Sequence, residues 1–244
     1  AAPDQLAGDI PDLDLADADD ASVEILTERA RLAEDAARAV PGVTNSEGAQ
    51  ASFSRSMFYL AASNGFARAH GETGHGVAAS VLAGGGTAME RDYDYASTLH
   101  AADLPEPETI GAEAGRRAVR RLNARKAVSA RVPVVFEPRV AGSLVRHLAS
   151  AVNGQSVARG TTFLKDKMGA RIFSEGVTIV DDPLRKRGLG SRPFDGEGLP
   201  SRPLTLVDRG VLKSWILDLR SARQLNLKST GHAARGVSSP PAPS

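Results

Sequence analysis

The chain has 244 residues, 41% of them hydrophobic, enough to bury one large core or two modest ones. Its 30 basic and 29 acidic side chains nearly cancel, so overall charge offers no argument for nucleic acid or a membrane surface. No apolar run approaches the length of a bilayer span, and the absence of cysteine excludes disulfides and thiolate metal sites. The N-terminus AAPDQLAGDIPDLDL is acidic and lacks the basic-then-apolar pattern of a signal peptide. With no cysteine, a reducing compartment is expected, and the cytoplasm is the expected location.

Residues 1–20 are acidic, contain proline and read as a linker. Asp20 is placed to cap a helix over about 21–40, with Ile25, Leu26, Leu32, Ala36 and Val40 on its buried side and Pro41-Gly42 as its stop. From about Gln50 to Leu99 the pattern turns to β. Phe53, Met57, Phe58 and Leu60 fall in short runs, and Asn64-Gly65 is a hairpin signal. Phe66–Glu72 and Gly76–Leu82 continue the meander, Gly84–Gly86 forms a loop, and Met89–Leu99 reads as another strand. A second helix is expected over about 107–122, with Ile110, Ala114, Ala118 and Leu122 as its apolar stripe. A polar, basic connection follows, and the domain boundary is placed there, giving units 21–125 and 126–244.

The second unit opens on a short apolar run, Val134-Val135-Phe136, that reads as a buried strand ended by Glu137-Pro138. A helix is expected from there to about Val152, with Val140, Leu144, Leu148, Ala151 and Val152 on one face, His147 at its edge, and Asn153-Gly154 as the stop. A strand over Gly176–Val180 ends in Asp181-Asp182. A loop over Pro183–Pro203 leads to a hairpin, Leu204–Val207 with Val211–Leu217, and then to a short helix near Asp218–Leu225. The tail from Ser229 offers little to pack. The expected fold class is therefore α+β: helices on an antiparallel sheet, followed by a mainly β domain entered by a strand-helix unit.

Several residue clusters invite chemistry. His70-Gly-Glu-Thr-Gly-His75 has the composition of a metal motif. Its two glycines disfavour a helix, however, and on a strand His70 and Glu72 share one face while His75 takes the other, so a polar hairpin end is the better reading. Arg116, Arg117, Arg120 and Arg121 form the one basic concentration, which reads as a solvated helix face because no aromatic residue interleaves to stack on bases. The loop Ser156–Thr162, with Arg159, Gly160 and Thr161, could line a cleft and offer backbone groups to an extended peptide, or simply connect two elements. Asp181-Asp182 and the loop carboxylates Asp195 and Glu197 are candidates for a paired-acid site or a partner contact, with strand capping and turn formation as the plainer alternative. Neither a Gly-x-Ser-x-Gly elbow nor a phosphate loop is present.

Four stretches, PVVFEPRVAGSLVRHL, SVARGTTFLKDKMGARIFSEGVTIVDDPL, SRPFDGEGLPSRPL and LDLRSARQLNLKSTGHAARG, together resemble the TldD/PmbA family, and the resemblance covers nearly the whole chain. It implies that 21–125 is the family's α+β middle domain and that 126–244 begins a mainly β C-terminal domain, truncated here, with further sequence expected on both sides. One kind of member, TldD, carries His-Glu-x-x-x-His on the helix after the first strand, completed by a cysteine. Here the corresponding residues are His147, Leu148, Ala149, Ser150, Ala151 and Val152. The water-activating glutamate is replaced by Leu148 and the second histidine by Val152. The resemblance therefore implies the other kind, PmbA (TldE), with no catalytic residue, metal ligand or cofactor of its own. Its implied partner is a TldD-type catalytic subunit supplying zinc, and the pair would process or degrade unfolded peptides, as in peptide-antibiotic maturation. Arg159, Gly160, Thr161, Asp181, Asp182, Asp195 and Glu197 would face peptide or partner. A peptide- or protein-binding module, or a DNA gyrase- or nucleic-acid-associated regulator, is the alternative. Nucleic acid is disfavoured as a ligand, and no membrane is expected.

Overall fold

The computed structural model describes residues 1–244. Its first half stacks two helices, α1 (Val23–Arg38) and α2 (Pro107–Arg120), on one face of a three-stranded antiparallel sheet. The sheet is a meander in the order β1 (Val43–Ala61), β2 (Ala67–Ala83) and β3 (Glu90–Thr98). This is the α+β layering that the sequence periodicities indicate.

The helix cap differs from expectation. Ser22, not Asp20, takes the N-cap position, its Oγ accepting from the Ile25 amide at 3.4 Å, while Asp20 pairs with Arg55. The buried face also differs. Ile25 is exposed, and the residues against the core are Ala33 and Ala37. The reason lies on α2, where Gly111 and Gly115 face α1. A Cβ at Gly111 would stand 1.9 Å from the Ala33 carbonyl oxygen, and one at Gly115 would stand 2.8 Å from that of Ala37. The helices meet backbone to backbone, and larger apolar side chains have no room in the seam.

In β2 burial alternates strictly. Thr73, His75, Val77, Ala79, Val81 and Ala83 face the helix side. The two segments expected around the His70–His75 stretch are one continuous strand, because Gly71, Gly74 and Gly76 keep their places in the ladder opposite Met57, Ser54 and Ser52. That stretch is therefore mid-strand and not a hairpin end. The turn itself falls where Asn64-Gly65 signals it: Gly65 adopts φ +90°, and the Ala62 amide donates to the Phe66 carbonyl at 2.9 Å. Residues 1–20, read as a linker, pack closely, with Ala7, Leu13 and Leu15 buried.

The second half departs further from the sequence reading. The expected strand at Val134–Phe136 does not form, and Val135 is 94% exposed. An apolar run becomes a strand only where another backbone meets its hydrogen-bonding groups, and no strand of this chain lies beside it. Helix α3 (Pro138–Ala151) forms as expected, yet Val140 and Leu144 are each 50% exposed. Only its last turn is buried: Leu148, Ala151 and Val152 join a core with Leu206, Val207, Leu212 and Trp215. Val152 is the C-cap of α3, and Asn153 caps α4 (Gly154–Ala158), its side chain accepting from the Gln155 amide at 3.0 Å.

Short strands complete this half. β4 (Ile179–Asp181), β5 (Leu204–Asp208) and β6 (Val211–Leu212) form one antiparallel sheet, with β6 ending well before the expected Leu217. α5 (Leu219–Gln224) is capped by Asp218. The tail does pack: β7 (Ala233–Ala234) pairs with β8 (Ala242–Pro243), and His232 is wholly buried. Turns and side-chain hydrogen bonds join these short antiparallel ladders in holding the region together. No helix is long and apolar enough to cross a membrane.

The seam yields a sign-reversed prediction. Helix propensity alone favours alanine over glycine by about 1 kcal/mol. Gly142→Ala, at a site in α3 with no atom near the added methyl, is expected to follow that preference. Gly111→Ala is expected to lower stability by about 3 kcal/mol, because the α1 backbone must move. Urea-unfolding midpoints of the two variants check both signs.

Candidate functional site

The candidate residues lie at the end of α3, in the loop after α4, at the end of β4 and in the 191–201 loop. On α3 the six residues from His147 split by position. His147 is exposed and not at a core edge, whereas Leu148 and Val152 are 8% and 0% exposed inside the core. A catalytic zinc draws three protein ligands from His, Cys, Asp or Glu. No three such side chains converge anywhere in the structure, and Leu148 and Val152 belong to an apolar cluster, so the residues present do not fit that ion.

Beyond α4 the chain turns through Gly160, at φ +70°. Arg159, Gly160 and Thr161 are exposed, and the turn is braced from beneath by Thr162, whose Oγ1 donates to the Ala151 carbonyl at 2.7 Å. These three residues are free to touch a ligand.

The loop carboxylates have separate fates. Asp182 is exposed and accepts from the Leu184 amide at 3.1 Å, which shapes the following turn. Asp181 lies 2.9 Å from His232 Nε2, while His232 Nδ1 faces the Thr230 carbonyl at 2.7 Å. The His232 contact holds the Asp181 carboxyl below its usual range against the opposing effect of burial, and Arg192 adds to the lowering. Asp195 is 1% exposed, which corrects its placement as a partner-facing group. Its Oδ1 accepts from the Glu197 and Leu199 amides, each at 2.9 Å, and its Oδ2 from the Ala233 amide at 3.1 Å. Burial raises its pKa even so. Glu197 Oε2 accepts from the Leu219 amide at 2.8 Å, at the start of α5, and its pKa is likewise raised by burial. Asp195 and Glu197 thus fasten the 191–201 loop to β7 and α5.

The Asp181–His232 pair had no local signature. The two residues are far apart in sequence, and His232 stands in a segment that looked unable to pack. Beside the 191–201 loop opens a cleft of about 640 Å³ lined by Leu199, Arg202, Leu219, Arg223, Lys228 and Gly231 among others.

Two earlier candidates resolve differently. His75 points toward the helices while His70 packs its ring against Phe58 and Phe194 on the opposite face, so they share no site. The arginines of α2 are engaged with carboxylates. Arg116, Arg117 and Arg120 pair with Glu113, Arg117 also with Glu137, and Arg121 with Glu90.

Comparison with known proteins places this architecture. Residues 16–122 match the family model of the PmbA/TldA metallopeptidase central domain, and residues 129–244 that of its C-terminal domain. The metalloprotease PmbA of Escherichia coli O157:H7 is 39% identical over 229 residues, covering 93% of this chain and 51% of that protein. A crystal structure of a candidate modulator of DNA gyrase from Bacteroides thetaiotaomicron superposes with a TM-score of 0.87 at 28% identity, over 94% of this chain and 53% of the other. TldE from Thermococcus kodakarensis shares the fold, with a TM-score of 0.74 at 24% identity over 91% of this chain and 50% of the other. The chain spans about half the length of the curated relatives it matches. Two consecutive domain matches, a common fold and substantial identity agree: the chain belongs to the PmbA/TldD metallopeptidase family.

Proposed function

We propose that this chain is part of a PmbA/TldE-type subunit that holds no metal and works beside a TldD-type subunit in processing or degrading unfolded peptides. The observation that carries this reading is the packing of Leu148 and Val152. Both belong to the buried cluster around Trp215, so the last turn of α3 serves the core where a zinc helix would present ligands. In this reading the partner holds the zinc, which supplies an activated water, and a glutamate of the partner serves as general base. This chain contributes surface. The exposed Arg159, Gly160, Thr161 and Asp182 contact peptide or partner, and the neighbouring carboxylates keep that surface in shape.

A nucleic-acid-associated role is the second reading, favoured by the name given to the Bacteroides structure. The ion pairs along α2 speak against it, because a phosphate backbone would have to displace carboxylates already in place.

Two outcomes are expected. The full-length protein, purified from its host, should copurify with a TldD-type chain and bring zinc-dependent cleavage of an unstructured peptide only with that chain present. A stable single species with full peptidase activity would overturn the reading. Leu148→Glu combined with Val152→His should restore the motif's letters without its function. It buries a carboxylate and an imidazole among apolar side chains, at a cost of about 3–5 kcal/mol, with no third ligand nearby. Elemental analysis should find no zinc retained, and the thermal midpoint should fall. Zinc-dependent cleavage by the isolated variant would refute this.

A further inference from the structure

Residues 9–20 contain no helix or strand, yet they are fastened to the β1–β2 hairpin and the turn after β3. Leu13 and Leu15 pack on Leu99. The Thr73 amide donates to the Leu15 carbonyl at 3.0 Å, the Asp17 amide to Thr73 Oγ1 at 2.7 Å, and Thr73 Oγ1 to the Leu99 carbonyl at 2.6 Å. The Asp17 carboxylate then sits between two histidines. Its Oδ2 accepts from the Ala101 amide at 2.8 Å and lies 3.3 Å from His75 Nε2, while its Oδ1 is 3.7 Å from His100 Nδ1. His100 Nε2 donates to the Asp14 carbonyl at 2.9 Å. Arg187 donates to Asp14 and faces Asp103, and Arg55 donates to the Asp17 carbonyl and pairs with Asp20. His75 is 2% exposed, its ring tilted against Phe53, and neither of its nitrogens has a well-aligned hydrogen bond.

We propose that residues 14–20 form a strap that mild acid releases from the hairpin, with His75 as the trigger. A neutral imidazole tolerates this burial better than an imidazolium, whose lost hydration the single Asp17 carboxylate at 3.3 Å offsets only in part. Loss of hydration is the largest influence on His75 and holds its pKa below the ordinary 6.5; Asp17 opposes this, while Arg29 and His100 reinforce it. The sign follows from that lowering. As pH falls below 6.5, a freed His75 takes up a proton before a strapped one does, so the strap holds fully above that value and loosens below it. Asp14 and Asp17 are lowered from 3.8, Asp14 chiefly by Arg187 and Asp17 chiefly by the Ala101 amide, so their weakening belongs to stronger acid. His75 alone among these three acts in the mildly acidic window.

The test is amide hydrogen exchange on the intact chain at about pH 7.5 and about pH 5.5, corrected for intrinsic exchange. Protection of the Thr73 and Asp17 amides is expected to fall at least about threefold on acidification, with the Val81 amide unchanged. His75→Phe, which keeps a ring but cannot take a proton, is expected to abolish that dependence. Should the variant not fold, the ring resonances of His75 in the unsubstituted chain decide. Their titration midpoint is expected below 6.5, with protection beginning to fall at pH values above that midpoint. Protection that ignores pH, an unchanged pH dependence in His75→Phe, or a midpoint at or above 6.5 would each overturn the proposal.

Discussion

The close approach of α1 and α2 governs the first half. With the Ala33 carbonyl 1.9 Å from where a Gly111 Cβ would stand, two helices share one narrow seam and together cover the sheet. The layer between helices and strands is filled largely by small side chains, Ala79, Ala83, Ala114 and Ala118, with Val77, Val81 and Ile110. The long β2 strand depends on that cover from Val77 to Ala83, whose alternate residues are buried against the helices. Beyond the helices the same strand face is sealed by the N-terminal strap, which brings Thr73 and His75 into contact with Leu15 and Asp17.

The second half is held together by another means. Its strands are two to five residues long and cannot close a core through ladders alone. Polar side chains take over the unpaired backbone groups. Asp195 accepts from three amides, Glu197 and Asp218 serve the first turn of α5, and Asn153 serves that of α4. A buried amide left without an acceptor costs more than a typical hydrogen bond contributes, so these carboxylates are as structural as the aliphatic cluster around Trp215. Burial raises the pKa of Asp195 and Glu197, yet their partners are backbone amides, and that geometry belongs to a fastening.

For function, the consequence is a division within one region. Several groups capable of chemistry are spent on the fold, among them Asp181, Asp195, Glu197 and His232, while the Arg159–Thr161 turn, Asp182 and His147 stay exposed. Such a surface can guide a flexible chain or seat another subunit. That fits a family in which the E. coli relative is named a metalloprotease, while the end of α3 in this chain is committed to packing.

Much of this was legible in the sequence because it is local. Ile110, Ala114 and Ala118 mark the face of α2 by spacing, Asn64-Gly65 marks the hairpin, and Asp218 marks the start of α5; each rule acts within a few residues. The His147–Val152 stretch could likewise be seen to lack a glutamate and a second histidine from its letters alone. Other features were decided only in three dimensions. Val134–Phe136 has the composition of a strand, but pairing requires a neighbour that no local pattern announces. Ala33 was chosen for the core over Ile25 because glycines far along the chain came to lie against it. Asp181 met His232, and Asp17 met His75 and His100, across separations where sequence order carries no distance information. Periodicity and capping chemistry are written into adjacent residues. The pairing of buried polar groups depends on which backbones fold together, and only the tertiary structure determines that.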